Sequence, residues 1–213
     1  MKNYKTIMTD GLFESEVKKS RFICQMKRVY EEEDARAFIN QIKKTHYKAN
    51  HSCSAMIIGD QSQIKRSSDD GEPSGTAGIP MLSVLEKQGL TNVVAVVTRY
   101  FGGVKLGTGG LIRAYSAATS ATIKALKIVE VKEQVGLEIE LSYPQYQLYS
   151  QFLEQVGLIE METVFLEVVQ TKLYLDAEDF SSLTSRLTDF YFGKVTFSKI
   201  PPKIIELPLN DSN

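Results

Sequence analysis

The segment RYFGGVKLGTGGLIRAY, Arg99 to Tyr115, holds five glycines and three cations and no carboxylate. Gly102 and Gly103 leave an apolar, strand-like run, and Gly107, Gly109 and Gly110 lead into a helix-like one. Backbone amides in such a turn can point at an anion, and the dipole of the following helix adds to the attraction. Arg99, Lys105 and Arg113 supply countercharge, while Tyr100, Phe101 and Tyr115 offer rings on which bases can stack. The chemistry that fits is phosphate binding, and the ligand it suits best is a nucleic-acid backbone. Two familiar phosphate motifs are excluded by spacing: no Gly-Lys-Ser/Thr is present, and the glycines do not fall in a G-x-G-x-x-G pattern. The same glycines could instead serve only left-handed turns and tight helix–sheet packing.

A second segment, SDDGEPSGTAG, places Asp69, Asp70 and Glu72 around Gly71 and Pro73. Three close carboxylates could hold a magnesium ion or act as acid and base, and the amides from Ser74 and Gly75 onward could meet an anion at a helix start. The spacing is not that of a calcium loop, and the alternative is a rigid turn in which Asp and Ser side chains bond nearby amides. Both segments run from a strand end toward a helix start. They are therefore expected side by side, with Asp70 or Glu72 bonded to Arg99 or Lys105. The third segment, HYKANHSC, contains both histidines. If His51 opens a strand, Cys53 shares its face, which would allow a Cys/His nucleophile pair or part of a metal site. Two ligands do not make a zinc site, so the plainer reading is a packed cysteine and a hydrogen-bonded histidine. No metal site and no cofactor motif is expected.

These segments need a scaffold. Glu31 to Tyr47 opens with four acids, closes on lysines and sets Ala35, Phe38, Ile39 and Ile42 on one side, the pattern of an amphipathic helix with its dipole matched at both ends. HSCSAMIIG reads as a strand ended by Gly59, and residues 60–80 as a long polar loop running into the helix MLSVLEKQGL. TNVVAVVTRY has the β-branched content of a strand buried on both faces, and LIRAYSAATSATIKALK suits a helix packed closely on a sheet. From Gln134 the order becomes strand, helix with Pro144 at its start, two strands, helix and a final strand at KVTFSKI. This βαββαβ order is the signature of a ferredoxin-like sandwich.

Composition sets the outer limits. A chain of 213 residues, 43% hydrophobic and 24% charged, can bury a core as one large domain or two small ones. No run approaches the ~20 apolar residues of a membrane span, and the N-terminus lacks a signal core, so a cytoplasmic protein without a membrane partner is expected. Two cysteines without paired spacing fit reduced thiols. The net charge of −1 conceals an asymmetry: residues 1–133 carry 20 Lys and Arg against 14 Asp and Glu, while residues 134–213 carry 5 against 12. A polyanion should meet the first half, and the acidic second half should bind a protein or something basic.

Taken together, DDGEPSGTAGIPML and VVTRYFGGVKLGTGGLIRAY, with KKSRFIC and NHSCSAMIIG upstream, resemble the IMPACT (YigZ-like) family. The resemblance implies an α+β chain of two domains: residues 1–132 similar to the fold shared by a small-subunit ribosomal protein and domain IV of elongation factor G, and residues 133–208 ferredoxin-like, similar to domain V of that factor. A flexible tail is expected over 209–213. Eukaryotic relatives restrain a stress kinase that senses amino-acid starvation, but they carry a further N-terminal domain not matched here, so that activity is not carried over. What the resemblance implies is a nucleic-acid- or ribosome-associated role in translation or stress regulation, with no established reaction. An enzyme acting on a phosphate-containing substrate between the two loops, and a protein–protein adaptor, are the competing readings.

Overall fold

The computed structural model describes residues 3–209. The chain is α+β and divides into two compact units. One runs from the described N-terminus to Val131 and regains the chain from Glu206; the other spans Lys132–Ile205.

In the first unit, β1 (Asn3–Ile7), β2 (Gly11–Val17) and β3 (Ser20–Arg28) precede α1 (Glu32–Thr45), β4 (His51–Ile58), β5 (Ile64–Ser68), α2 (Gly78–Lys87), β6 (Val93–Tyr100) and α3 (Thr108–Leu126). A five-stranded sheet has the order β2-β3-β6-β4-β5. β6 is its central strand, antiparallel to both β3 and β4. Its seven residues Val93 to Arg99 are all buried, because both faces of the sheet are covered. Cys53, Ala55, Ala95 and Val97 pack on one side against Met81 and Leu85 of α2 and Leu111, Tyr115 and Ala118 of α3. Met56, Ile58, Val94 and Val96 pack on the other against Ala35 and Ile42 of α1. The small residues of α3 allow the close approach to the sheet that the sequence suggested.

The stretch expected as one polar loop over 60–80 contains β5, an edge strand paired with β4 from Ile58↔Ile64 to Ser54↔Ser68. Its composition, IKRSS, leaves only Ile64 half-buried, so it carries no alternation for a sequence reading to detect. Three strands also occupy residues 3–28, where no element was expected from the sequence pattern.

The second unit contains most of β7 (Ile128–Leu141), then α4 (Tyr143–Val156), β8 (Met161–Phe165), β9 (Val169–Leu175), α5 (Phe180–Phe190) and most of β10 (Thr196–Leu209). β9 lies between β7 and β8, and β10 pairs with β7, which is the strand order of a ferredoxin-like sandwich. Leu137, Ile139, Tyr149, Phe152, Leu173 and Leu187 form its core. Ser142 and Gln145 form a capping box at the start of α4, with Pro144 in the first turn. β10 is longer than KVTFSKI and includes Leu209, which corrects the start of the expected tail; residues 210–213 lie outside the described residues. Among the described residues no helix is long and apolar enough to cross a membrane.

Candidate functional site

Strand directions bring the three sequence segments to one end of the first unit's sheet. His51 stands opposite Arg99 in the β4–β6 register, and Arg21 opposite Tyr100 in the β3–β6 register. The acidic and basic loops meet there as expected, but their contact is internal. Arg99 Nη1 donates to Glu72 Oε1 at 2.7 Å and Nη2 to the Ser20 hydroxyl at 3.3 Å. The guanidinium lies between the rings of Phe22 and Phe101, 5.6 and 5.4 Å from their centroids. Arg99 is only 5% exposed, which removes it from the expected anion-binding set. Its position on β6 aims it at the face covered by α2 and α3, where an unpaired charge would be costly and Glu72 compensates it. Tyr115, expected as a stacking surface, is likewise buried; its hydroxyl donates to Glu72 Oε1 at 2.8 Å and its ring meets Phe22 edge-on. Burial pushes its phenol pKa far upward.

The remaining acids are also engaged. Asp69 accepts from the amides of Gly75, Ala77 and Gly78 at 2.8 to 3.0 Å. The anion at the start of α2 is thus supplied by the protein itself, which corrects the expectation of amides open to a ligand there. Burial works to raise the Asp69 pKa, but the three amides outweigh it and hold the carboxyl below its ordinary value. Asp70 accepts from Lys43 Nζ at 2.5 Å and from the Ser52 amide at 2.7 Å. With Glu72 held by Arg99 and Tyr115, the three carboxylates have separate partners, and no cluster of three or more metal-ligating side chains occurs among the described residues. The segment is the rigid turn, with Gly71 at φ +85° and Ser74 exposed. Lys105 takes no part in the pairing.

His51 opens β4 and its Nδ1 donates to the Asp70 carbonyl at 2.9 Å, while Nε2 lies 3.9 Å from Glu72 Oε2. Cys53 is fully buried, its thiol directed at the Asp69 carbonyl, and burial pushes its pKa up to about 12. A thiol so poor in thiolate is no nucleophile, which corrects the Cys/His reading.

What stays outside is the other half of the glycine segment. Gly102 is pressed against the β2–β3 turn: a Cβ there would lie 1.8 Å from the Lys19 carbonyl oxygen, and its amide donates to Ser20 Oγ at 3.3 Å. Beyond it, Gly103 and Gly107 have φ of +84° and +70° with open space around them. Gly107 is the N-cap of α3 and provides no side-chain cap, so Thr108, Gly109 and Gly110 form an exposed to half-buried first turn. The Arg113 guanidinium lies over this turn, its Nη1 3.6 Å from where a Cβ on Gly109 would sit. Lys105 and Arg113 are exposed, and Phe101 is 45% exposed. Tyr100 is half-buried, its hydroxyl 2.9 Å from His46 Nδ1. The sequence reading missed Lys18 and Lys19, exposed in the turn that Gly102 touches.

Comparisons with known proteins agree with this organisation. Residues 18–123 match the model of the Impact N-terminal domain, and residues 139–194 match a domain of unknown function, DUF1949. The chain is 40% identical over 192 residues to the IMPACT family member YvyE of Bacillus subtilis, covering 90% of this chain and 88% of that protein. It is 34% identical over 182 residues to the IMPACT family member YigZ of Escherichia coli, covering 84% and 89%. A crystal structure described as that of a hypothetical protein is similar over 100% of both chains, with a TM-score of 0.59 and 29% identity. With two domain matches in order and relatives aligned over most of their length, the chain belongs to the IMPACT family.

Proposed function

We propose that the protein binds RNA, free or on the ribosome, through the end of the first unit's sheet, and that it acts in the regulation of translation or of a stress response. The observation that carries this reading is the sorting of charge there. Asp69, Asp70 and Glu72 are all turned onto internal partners, whereas Lys18, Lys19, Lys105 and Arg113 are exposed and have no acidic partner among the described residues. Beside them lie the uncapped first turn of α3 and the exposed Phe101 ring. Cations, free amides and an aromatic face are the parts from which sequence-tolerant single-strand binding is built. The acidic second unit serves a protein partner in this reading; Val164, Phe165 and Leu166 at its β8–β9 hairpin are 48%, 57% and 58% exposed.

The test is binding of a single-stranded RNA from low to physiological salt. Each phosphate neutralised contributes about −0.7 to the log–log slope. Lys105→Ala and Arg113→Ala should each weaken binding and flatten the slope by somewhat under one unit. Unchanged slopes, or no binding at low salt, would remove the RNA reading and leave the enzyme and protein–protein adaptor readings.

A further inference from the structure

On the α1 side of the first unit's sheet, α1 and the edge strand β5 leave a groove of about 400 Å³ between them. Arg36, Asn40 and Lys43 line it from α1 at the spacing of one helix face, and Arg66 and Ser68 line it from alternate positions of β5. Across the β4–β5 register, Met56 lies opposite Arg66 and Ser54 opposite Ser68, so cations and hydroxyls converge from three elements. Ile39 and Met56 supply the apolar part of the lining.

Two features distinguish this groove from an ordinary charged surface. Ser54 is only 5% exposed, and its side chain lines the floor of the groove. Second, Arg36 and Arg66, from different elements, converge on one carboxylate: Glu32 Oε1 lies 2.5 Å from Arg36 Nη2 and 3.6 Å from Arg66 Nε. The two guanidiniums are thereby held in the spacing that a tetrahedral oxyanion would bridge, and a phosphate offers them more oxygens and more charge than Glu32 does. Lys43, held by Asp70, adds a third cation at the other end.

We propose that this groove binds a small phosphate monoester with a planar or apolar body, the chemistry of a mononucleotide. The phosphate displaces Glu32 from Arg36 and Arg66, the body lies over Ile39 and Met56, and Ser54 and Asn40 meet its polar edge. The groove's volume falls within the ~300–1,000 Å³ of ordinary small-ligand sites. None of the residues assigned above to RNA contact takes part, so this proposal and that one stand or fall separately.

Calorimetric titration of the full chain with AMP, adenosine and inorganic phosphate tests it. AMP should bind at least tenfold more tightly than either of its halves. Arg66→Ala should weaken AMP at least tenfold, Glu32→Gln should tighten it severalfold by removing the internal competitor, and Lys105→Ala should leave it unchanged. Equal binding of AMP and inorganic phosphate, an unaltered affinity in Arg66→Ala, or a loss of affinity in Glu32→Gln would each overturn the proposal.

Discussion

Arg99 shows how one residue type serves opposite ends. Beside Lys105 and Arg113 in the sequence it reads as a third anion ligand, yet β6 is buried on both faces, so no alternation of exposed and buried residues signals which way Arg99 points. What was legible was its partner: an isolated cluster of acids and an isolated cluster of cations, each at a strand end, are expected to meet. Replacing Arg99 by alanine strands Glu72 in the core and should cost about 3–5 kcal/mol in urea-induced unfolding, whereas Lys105→Ala should stay within about 0.5 kcal/mol. The salt slope for RNA should be unmoved by the first change in any protein that remains folded. Asp69 makes a separate prediction. Its folded pKa is below that of the unfolded chain, so the stability it contributes is present above about pH 4 and disappears as pH falls through the folded value. Asp69→Asn should therefore lower stability at neutral pH and make the acid limb of the stability curve shallower, as read from urea midpoints between pH 7 and pH 2.

Among the elements, the glycine segment divides into a part that packs and a part that stays open, and substitution should separate the two. An alanine at Gly102 collides with the Lys19 backbone, so Gly102→Ala should destabilise by about 1–3 kcal/mol, the range for overpacking. Gly109 lies in the first turn of α3 with only the end of Arg113 nearby, so Gly109→Ala should be neutral to stabilising, by up to about 1 kcal/mol. Thermal melts of the two variants decide the matter, and a stable Gly102→Ala protein would mean that the β2–β3 turn is free to move. The amphipathic α1, the continuous β-branched run of the doubly buried β6 and the βαββαβ series were legible from the sequence because their side chains carry the pattern of their surroundings. β5 was not, since an edge strand whose side chains face water needs only backbone pairing. β10 was read as seven residues because Pro201 and Pro202 interrupt its propensity, although it continues to Leu209.

At the scale of the whole molecule, the units differ in charge, and we propose that each folds on its own core. The first unit is discontinuous in the chain: β7 leaves it at Val131 and β10 regains it at Glu206. The returning segment is tied to the start of the unit by Arg28, which donates to both oxygens of Glu206 at 2.6 and 2.9 Å and to the Ile7 and Met8 carbonyls. A chain ended after Ile205 should keep the cooperative melting of the second unit and lower that of the first, as followed by circular dichroism; equal melting of both would show the return to be dispensable. The same arrangement fixes an order of events during synthesis. The ribosome makes the core of the first unit early, but the returning segment that carries Glu206 is translated only after all of the second unit. Until then the nascent chain exposes an Arg28 without its carboxylate, so the last tie of the first unit forms only after the second unit has been translated.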